Sequence, residues 1–333
     1  MEASQVTPDF VHGAIAPVFS SFNEDGSFNE AGQRNFLDFL LERGGVSAFF
    51  VRSGMGQMYT FSYEDVQAMA HTACGHLQGK APILVGTSGV WDRNRQRRPD
   101  PAVFTRQAVE LSAFAEQAGS TAVVHTIPEA IAPKDGQTVA DVVLEYFDTV
   151  SRAVTCPIFI YQPPGTAEEY QVTVDLVQAL ADMPRLAGIK ASTNDAQYIH
   201  DIAWAVHDRP FAVISGAETA FLAGLASGTK AVIGQGSTVN PQILAAIQDR
   251  FEAGDLQGAR EAQWATNYLV EESSNATEFM KRYATENGFE VPPHSRHEST
   301  ATYGKARPPA LTTEEYDRFK TLLETELARY VTS

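Results

Sequence analysis

Lysine and cysteine are scarce in this chain, and long apolar runs are missing. Two cysteines, Cys74 and Cys156, lie far apart and form no CxxC pair. That leaves no disulfide framework to expect and fits a reduced, cytoplasmic protein. Basic residues are outnumbered: 25 Lys and Arg face 41 Asp and Glu, a formal net charge of −16. Such a surface disfavours nucleic acid or an anionic membrane as the main partner. No apolar run approaches the roughly 18 residues of a membrane span. The segment from Met1 to Phe10 has neither a basic stretch nor an apolar stretch of the kind that opens a signal peptide. No glycine-rich phosphate loop follows the first apolar run, which argues against a dinucleotide fold. No His/Asp/Glu cluster falls at strand ends, and His294-Ser295-Arg296-His297 has no further ligand in sight, so it reads as a loop. No metal and no cofactor are expected.

What is present is ordinary globular composition, 44% hydrophobic and 20% charged. Short apolar runs alternate with helical patterns. Strands are expected at Gly13–Val18, Val46–Val51, Pro82–Gly86, Thr121–His125, Pro157–Tyr161, Leu186–Lys190, Phe211–Ser215 and Ala231–Ile233. Most are apolar throughout, as parallel strands covered on both faces are. Helical patterns fall near Glu30–Arg43, Tyr63–Leu77, Ala102–Ala118, Val139–Ala153, Val174–Ala181, Ala196–Val206, Ala217–Ala226 and Pro241–Phe251. Eight β-then-α units predict an α/β fold, a (β/α)8 TIM barrel over residues 1–252. Residues 253–333 then form a helical extension, with helices near Leu256–Asn287 and Thr313–Tyr330.

The seven lysines can be sorted by this frame. Lys80 and Lys230 precede strands, Lys134 lies in a loop, and Lys281, Lys305 and Lys320 follow the barrel. Lys190 alone closes a strand at the end where barrel enzymes keep their chemistry. An apolar interior lowers an ammonium pKa, and a neutral amine can attack a carbonyl to form a Schiff base. Tyr161 closes the preceding strand, about 4.8 Å away, close enough to shuttle protons. Around them, Gly54, Met55 and Gly56 form a turn whose N–H groups suit a carboxylate. The turns holding Ser215, Gly216 and Glu218, and Ile233, Gln235 and Ser237, are placed to hold substrate hydroxyls.

These motifs resemble the dihydrodipicolinate synthase / N-acetylneuraminate lyase family of class I aldolases. The likeness runs from about Gly13 to Leu311. It includes Pro17-Val18-Phe19, Gly86-Thr87-Ser88, Tyr161-Gln162-Pro163-Pro164-Gly165, Gly188-Ile189-Lys190, Ser215-Gly216 and the closing Arg307-Pro308-Pro309-Ala310-Leu311. It implies a barrel, a Schiff base on Lys190, a proton-relaying Tyr161, a carboxylate nest at the strand-two turn, and a homo-oligomer, dimer or tetramer.

Three departures narrow that implication. The family's strand-two turn reads Gly-[Thr/Ser]-Thr-Gly-Glu, whereas Gly54 and Met55 hold the hydroxyl positions here and Gln57 replaces Glu. The family's tyrosine after strand four is replaced by His125-Thr126-Ile127-Pro128-Glu129, which makes His125 a candidate proton carrier. The arginine that dihydrodipicolinate synthases carry after strand five is Thr166. The chain is therefore not expected to be dihydrodipicolinate synthase itself. Glu218 falls where sialic-acid-type lyases place an acidic group for sugar hydroxyls. An insertion after strand three carries four arginines, at Arg93, Arg95, Arg97 and Arg98. Arg93 and Arg97 could hold a second anionic group, or the loop could be a surface or subunit contact.

The expected activity is a lyase on a small 2-oxo acid. It would either cleave a C–C bond by retro-aldol chemistry to release pyruvate, or dehydrate a 2-keto-3-deoxy sugar acid. A 2-oxo-acid sensor with an impaired pocket is the alternative.

Overall fold

The structure, a computed structural model, describes residues 7–296 and 308–330. Arg307 and His297 lie outside those residues. Eight parallel strands close into a barrel in sequence order: β1 (Ala14–Pro17), β2 (Val46–Val51), β3 (Ile83–Gly86), β4 (Ala122–Thr126), β5 (Ile158–Gln162), β6 (Leu186–Ala191), β7 (Ala212–Ser215) and β8 (Ala231–Val232). Alternation sorts each strand's side chains into two cores. Ile15, Phe50, Leu84, Val124, Phe159, Tyr161, Ala187 and Ile214 fill the barrel. Val51, Val85, Val123, Ile160 and Ile189 face the helices. This double burial explains why the strands read as unbroken apolar runs.

The covering helices are α1 (Glu30–Arg43), α2 (Tyr63–Leu77), α3 (Pro101–Gln117), α4 (Val139–Ser151), α5 (Val174–Ala181), α6 (Ala196–Ala205), α7 (Phe221–Ser227), the short α8 (Gly236–Val239) and α9 (Pro241–Glu252). Several start where side chains satisfy the otherwise unpaired first N–H groups. Ser62 with Asp65, and Thr138 with Asp141, form capping boxes, and Asp195 accepts from the Tyr198 N–H.

Beyond the barrel, the single long helix expected over Leu256–Asn287 is two: α10 (Leu256–Glu272) and α11 (Ala276–Glu286). Ser273-Ser274-Asn275 separates them, and the Asn275 side chain caps α11 by accepting from the Glu278 N–H. Serine and asparagine bond the local backbone in ways that compete with a continuing helix. The helix expected from Ala217 begins instead as a 3-10 turn at Glu218–Ala220, so the Glu218 side chain turns towards the barrel mouth. Helix α10 packs on α9 and α7, and α12 (Thr313–Leu327) packs on α10. No described helix is long and apolar enough to cross a membrane.

Candidate active site

Strands β5 and β6 pair in a register that sets Tyr161 opposite Lys190. Both side chains point into the barrel, 2% and 5% exposed. The Lys190 Nζ sits 4.3 Å from the centre of the Tyr161 ring, and Phe50 meets that ring edge-on from across the barrel. Burial pushes the Lys190 ammonium down to about 7, with Glu218 acting the other way. At neutral pH a large fraction of this amine is therefore neutral and nucleophilic. Burial also pushes the Tyr161 hydroxyl up to about 12, against Ser192 and Arg93. Tyr161 thus keeps its proton and can give it up only to a strong base formed during a reaction.

Burial alone does not single out Lys190. Lys281 is fully buried too, but its Nζ donates to the His294 carbonyl 2.6 Å away in the helical extension. What distinguishes Lys190 is its place at a strand end beside a phenol and a carboxylate.

That carboxylate is Glu218. It is buried, which raises its pKa, while the Gly236 N–H and Lys190 oppose the rise. Its Oε1 accepts from Gly236 N at 3.1 Å. Gln263 on α10 donates to its main-chain oxygen. The carboxylate lies flat on Gly234, where an added Cβ would fall 1.9 Å from Oε2. Glycine is required there because of the side chain beside it.

The turn after β2 keeps part of the expected nest. Gly56 N–H is already bonded to Ser53 Oγ. The N–H groups of Gly54 and Met55 donate no hydrogen bond to any described residue, which leaves two adjacent donors for an anion. Gln57 adopts a left-handed conformation, φ 62°. Its side chain exchanges hydrogen bonds with the Arg296 main chain and pins the 291–296 segment to the turn.

Other expected ligands are committed elsewhere. His125 is on the outer face of β4. Its Nε2 meets Thr87 and Ser112 at 3.0 Å, its Nδ1 meets the Tyr146 hydroxyl at 2.9 Å, and burial pushes it down to about 3. It belongs to the helix layer and has no path to Lys190. Ser237 donates to the Val232 carbonyl and accepts from Gly234 N–H. The Ser215 hydroxyl is held within its own turn, and Gly216 donates to the Ala191 carbonyl. Gln235 reaches towards Ser273, which caps the end of α10. Ile233 contributes apolar wall.

The arginine insertion docks on the barrel mouth through Glu129, a carboxylate that sequence reasoning passed over. Arg93 donates from Nε and Nη2 to Glu129 Oε2, and from Nη1 to the Pro164 carbonyl. Arg95 donates to Glu129 Oε1 at 2.6 Å and to the Gly165 carbonyl. The Ala167 N–H completes the set. Burial would raise the Glu129 carboxyl, but Arg93, the Ala167 N–H and Arg95 outweigh it and hold it below its ordinary value. Arg93 is thus a buried clamp whose donors are occupied, and Arg97 is exposed and paired with Asp92. Neither is free to receive a substrate anion. The Arg93 guanidinium also approaches Thr166, so it occupies space next to the position where dihydrodipicolinate synthases carry their arginine.

Two further residues escaped the sequence reading. Arg52, directly before the β2 turn, is fully buried with φ 48°. Its Nη1 donates to the Gly86 and Ser88 carbonyls, and no carboxylate pairs with it among the described residues. Tyr59 lies in the 3-10 turn Met58–Thr60. A charged residue ending an apolar strand was the available signal for Arg52. An acid inside the apolar segment Ile127-Pro128-Glu129-Ala130-Ile131 was the one for Glu129. Among the described residues, no three His, Cys, Asp or Glu side chains gather as a metal ion would require.

Comparison with known proteins gives the family and the fold. The profile of the Dihydrodipicolinate synthetase family matches residues 10–307. A 4-hydroxy-tetrahydrodipicolinate synthase of Dechloromonas aromatica is 25% identical over 251 residues, 75% of this chain and 79% of the relative. Among solved structures, YagE, a prophage protein of Escherichia coli K12 in complex with pyruvate, superposes with a TM-score of 0.74 at 23% identity. That match covers 96% of this chain and 99% of YagE. The sialic acid aldolase of Ruminococcus gnavus gives 0.79 at 18% identity, covering 97% and 100%. The chain belongs to the dihydrodipicolinate synthetase family of Schiff-base-forming, class I aldolases and lyases.

Proposed function

We propose that this chain is a Schiff-base lyase for a 2-oxo acid with a hydroxylated tail, and that Lys190 is its nucleophile. The observation that carries the reading is the buried Lys190 amine, held near neutrality at a strand end and 4.3 Å from the Tyr161 ring. The Lys190 amine adds to the C2 carbonyl, and water leaves to give a protonated imine. A base takes the C4 hydroxyl proton, the C3–C4 bond breaks, and its electron pair flows to the imine nitrogen. The resulting enamine takes a proton at C3, and hydrolysis releases pyruvate and an aldehyde while restoring Lys190. If a base instead takes a C3 proton from the same imine, the enamine that forms still carries C4 and expels its protonated hydroxyl as water, which gives dehydration. Tyr161 suits the proton donor and acceptor at the imine, and the Gly54 and Met55 N–H groups suit the substrate carboxylate.

The tail assignment rests on what is left unoccupied. Arg93 is sequestered by Glu129, and Thr166 offers no charge. A second anionic group therefore finds no free arginine at the strand-five loop. Glu218 faces the Lys190 side of the mouth and favours hydroxyls. These features support a reaction other than condensation of pyruvate with an aspartate-derived aldehyde.

The test is borohydride reduction in the presence of pyruvate, followed by mass mapping, alongside turnover of a panel of 2-keto-3-deoxy sugar acids. The expected result is one adduct, on Lys190, with turnover. An adduct on Lys80, Lys134 or Lys230 refutes the assignment. An adduct on Lys190 with no turnover across the panel favours a binding or sensing protein.

A further inference from the structure

Two buried phenols lack a hydrogen-bond partner among the described residues, Tyr59 and Tyr316. Tyr316 has the Glu286 carboxylate beside it in the helical extension. Tyr59 has the Glu129 carboxylate within electrostatic reach but makes no hydrogen bond to it. Its ring packs against the barrel-interior cluster that holds Phe50, Met58 and Tyr161. The Arg93 guanidinium covers the ring, 5.5 Å from its centre. Arg93 makes no hydrogen bond to the Tyr59 hydroxyl and is engaged instead with Glu129, Pro164 and Thr166. A buried hydroxyl without a partner opposes folding. Fold packing alone would be served as well by phenylalanine.

We infer that the Tyr59 hydroxyl is a substrate contact of the Lys190 site, donating a hydrogen bond to an oxygen of the bound 2-oxo acid. Three observations converge on a donor role at that place. The ring is fixed by Arg93 and by the barrel interior. The hydroxyl is held protonated, because burial raises its pKa well above the ordinary tyrosine value and Arg93 only partly offsets this. It also lies within electrostatic reach of Tyr161, on the strand-five side of Lys190, whereas Glu218 lies on the strand-seven side. The Tyr161–Lys190 pair thus has a donor on one side and an acceptor on the other. The orphaned hydroxyl is satisfied when ligand arrives, so its cost to the empty protein becomes affinity for the bound one.

This inference rests on the proposed role of Lys190, and the experiment separates the two. Wild type and Tyr59→Phe are compared by thermal denaturation with and without pyruvate, and by the pyruvate concentration that gives half-maximal borohydride trapping. The expected outcome is a ligand-free Tm for Tyr59→Phe equal to or above that of wild type, with trapping that needs at least tenfold more pyruvate. The stabilisation by a fixed pyruvate concentration should shrink accordingly. Trapping within twofold of wild type overturns the inference while leaving Lys190 intact. A lower ligand-free Tm also overturns it, since the hydroxyl would then have an internal partner. Absence of any adduct in wild type removes the Lys190 reading and this one with it.

Discussion

Replacing Lys190 with methionine should make the protein more stable, and the gain should depend on pH in a defined way. Methionine matches the length of the lysine stem and carries no charge, so it opens no cavity. The Lys190 pKa is 10.5 in a solvated reference and about 7 in the fold. At roughly 1.4 kcal/mol per pH unit, that gap caps the destabilisation at about 5 kcal/mol. Well below pH 7 the full penalty is present, because both states carry the proton and only the folded one buries it, and at pH 7, where about half of the folded amine is neutral, most of it remains. Between 7 and 10.5 the unfolded chain binds a proton that the folded chain lacks, so wild-type stability rises with pH. Above 10.5 neither state is charged and the penalty vanishes. That gap already includes the favourable Glu218 neighbour; relaxation of the protein around the buried charge brings the expected gain to about 2–4 kcal/mol at pH 7. Urea denaturation of both proteins at pH 7 and 9.5 measures the difference, which should fall to about 1.4 kcal/mol or less at the higher pH. A Lys190→Met variant less stable than wild type at pH 7, or a pH-independent difference, refutes the claim that this amine is held against solvation.

Two other outcomes follow from buried groups away from the nucleophile. His125, held neutral down to about pH 3, contributes stability that is complete above pH 6.5 and is lost as the pH falls from 6.5 towards 3, because only the unfolded chain takes up the proton there. His125→Leu should flatten this acid limb in equilibrium unfolding, at a cost of about 2–4 kcal/mol at pH 7 from the unpaired Tyr146 and Thr87 hydroxyls, with trapping of pyruvate on Lys190 retained; loss of trapping in the folded variant would reinstate His125 as a proton carrier. Glu129→Gln should cost about 3–5 kcal/mol in thermal or urea denaturation, because Arg93 remains buried without its counter-charge, and Glu129→Leu combined with Arg93→Met should recover most of that loss; a cost below about 1 kcal/mol for Glu129→Gln contradicts the clamp.

The barrel was legible because its strands are buried on both faces and its helices carry their caps in the sequence. Lys190 and Tyr161 could be found from strand position alone, since period-2 alternation fixes which residues face inward. Alternation also places His125 outward, one residue before the inward Thr126 position, a parity that the sequence reading did not apply. The fates of Arg93, Ser237 and Gln235 were hidden for a different reason. A polar side chain near a mouth becomes a ligand only if its donors are free, and that depends on partners far along the chain for Arg93 and Gln235 and on the shape of its own turn for Ser237. The break at Ser273-Ser274-Asn275 was readable, because those residue types favour caps over helix interiors.

The Glu129 carboxylate has a consequence for redesign. Barrel enzymes diversify by exchanging single βα loops over a constant frame, which treats each loop as an independent module. In this protein one carboxylate after β4 is shared by two arginines after β3 and a backbone N–H after β5. A transplant of the loop after β3 or β4 leaves a buried charge without its partner, and one of the loop after β5 removes the backbone groups that position the pair. Segments 91–98, 127–131 and 163–167 therefore form a single cassette, and libraries aimed at a new substrate should move the three together.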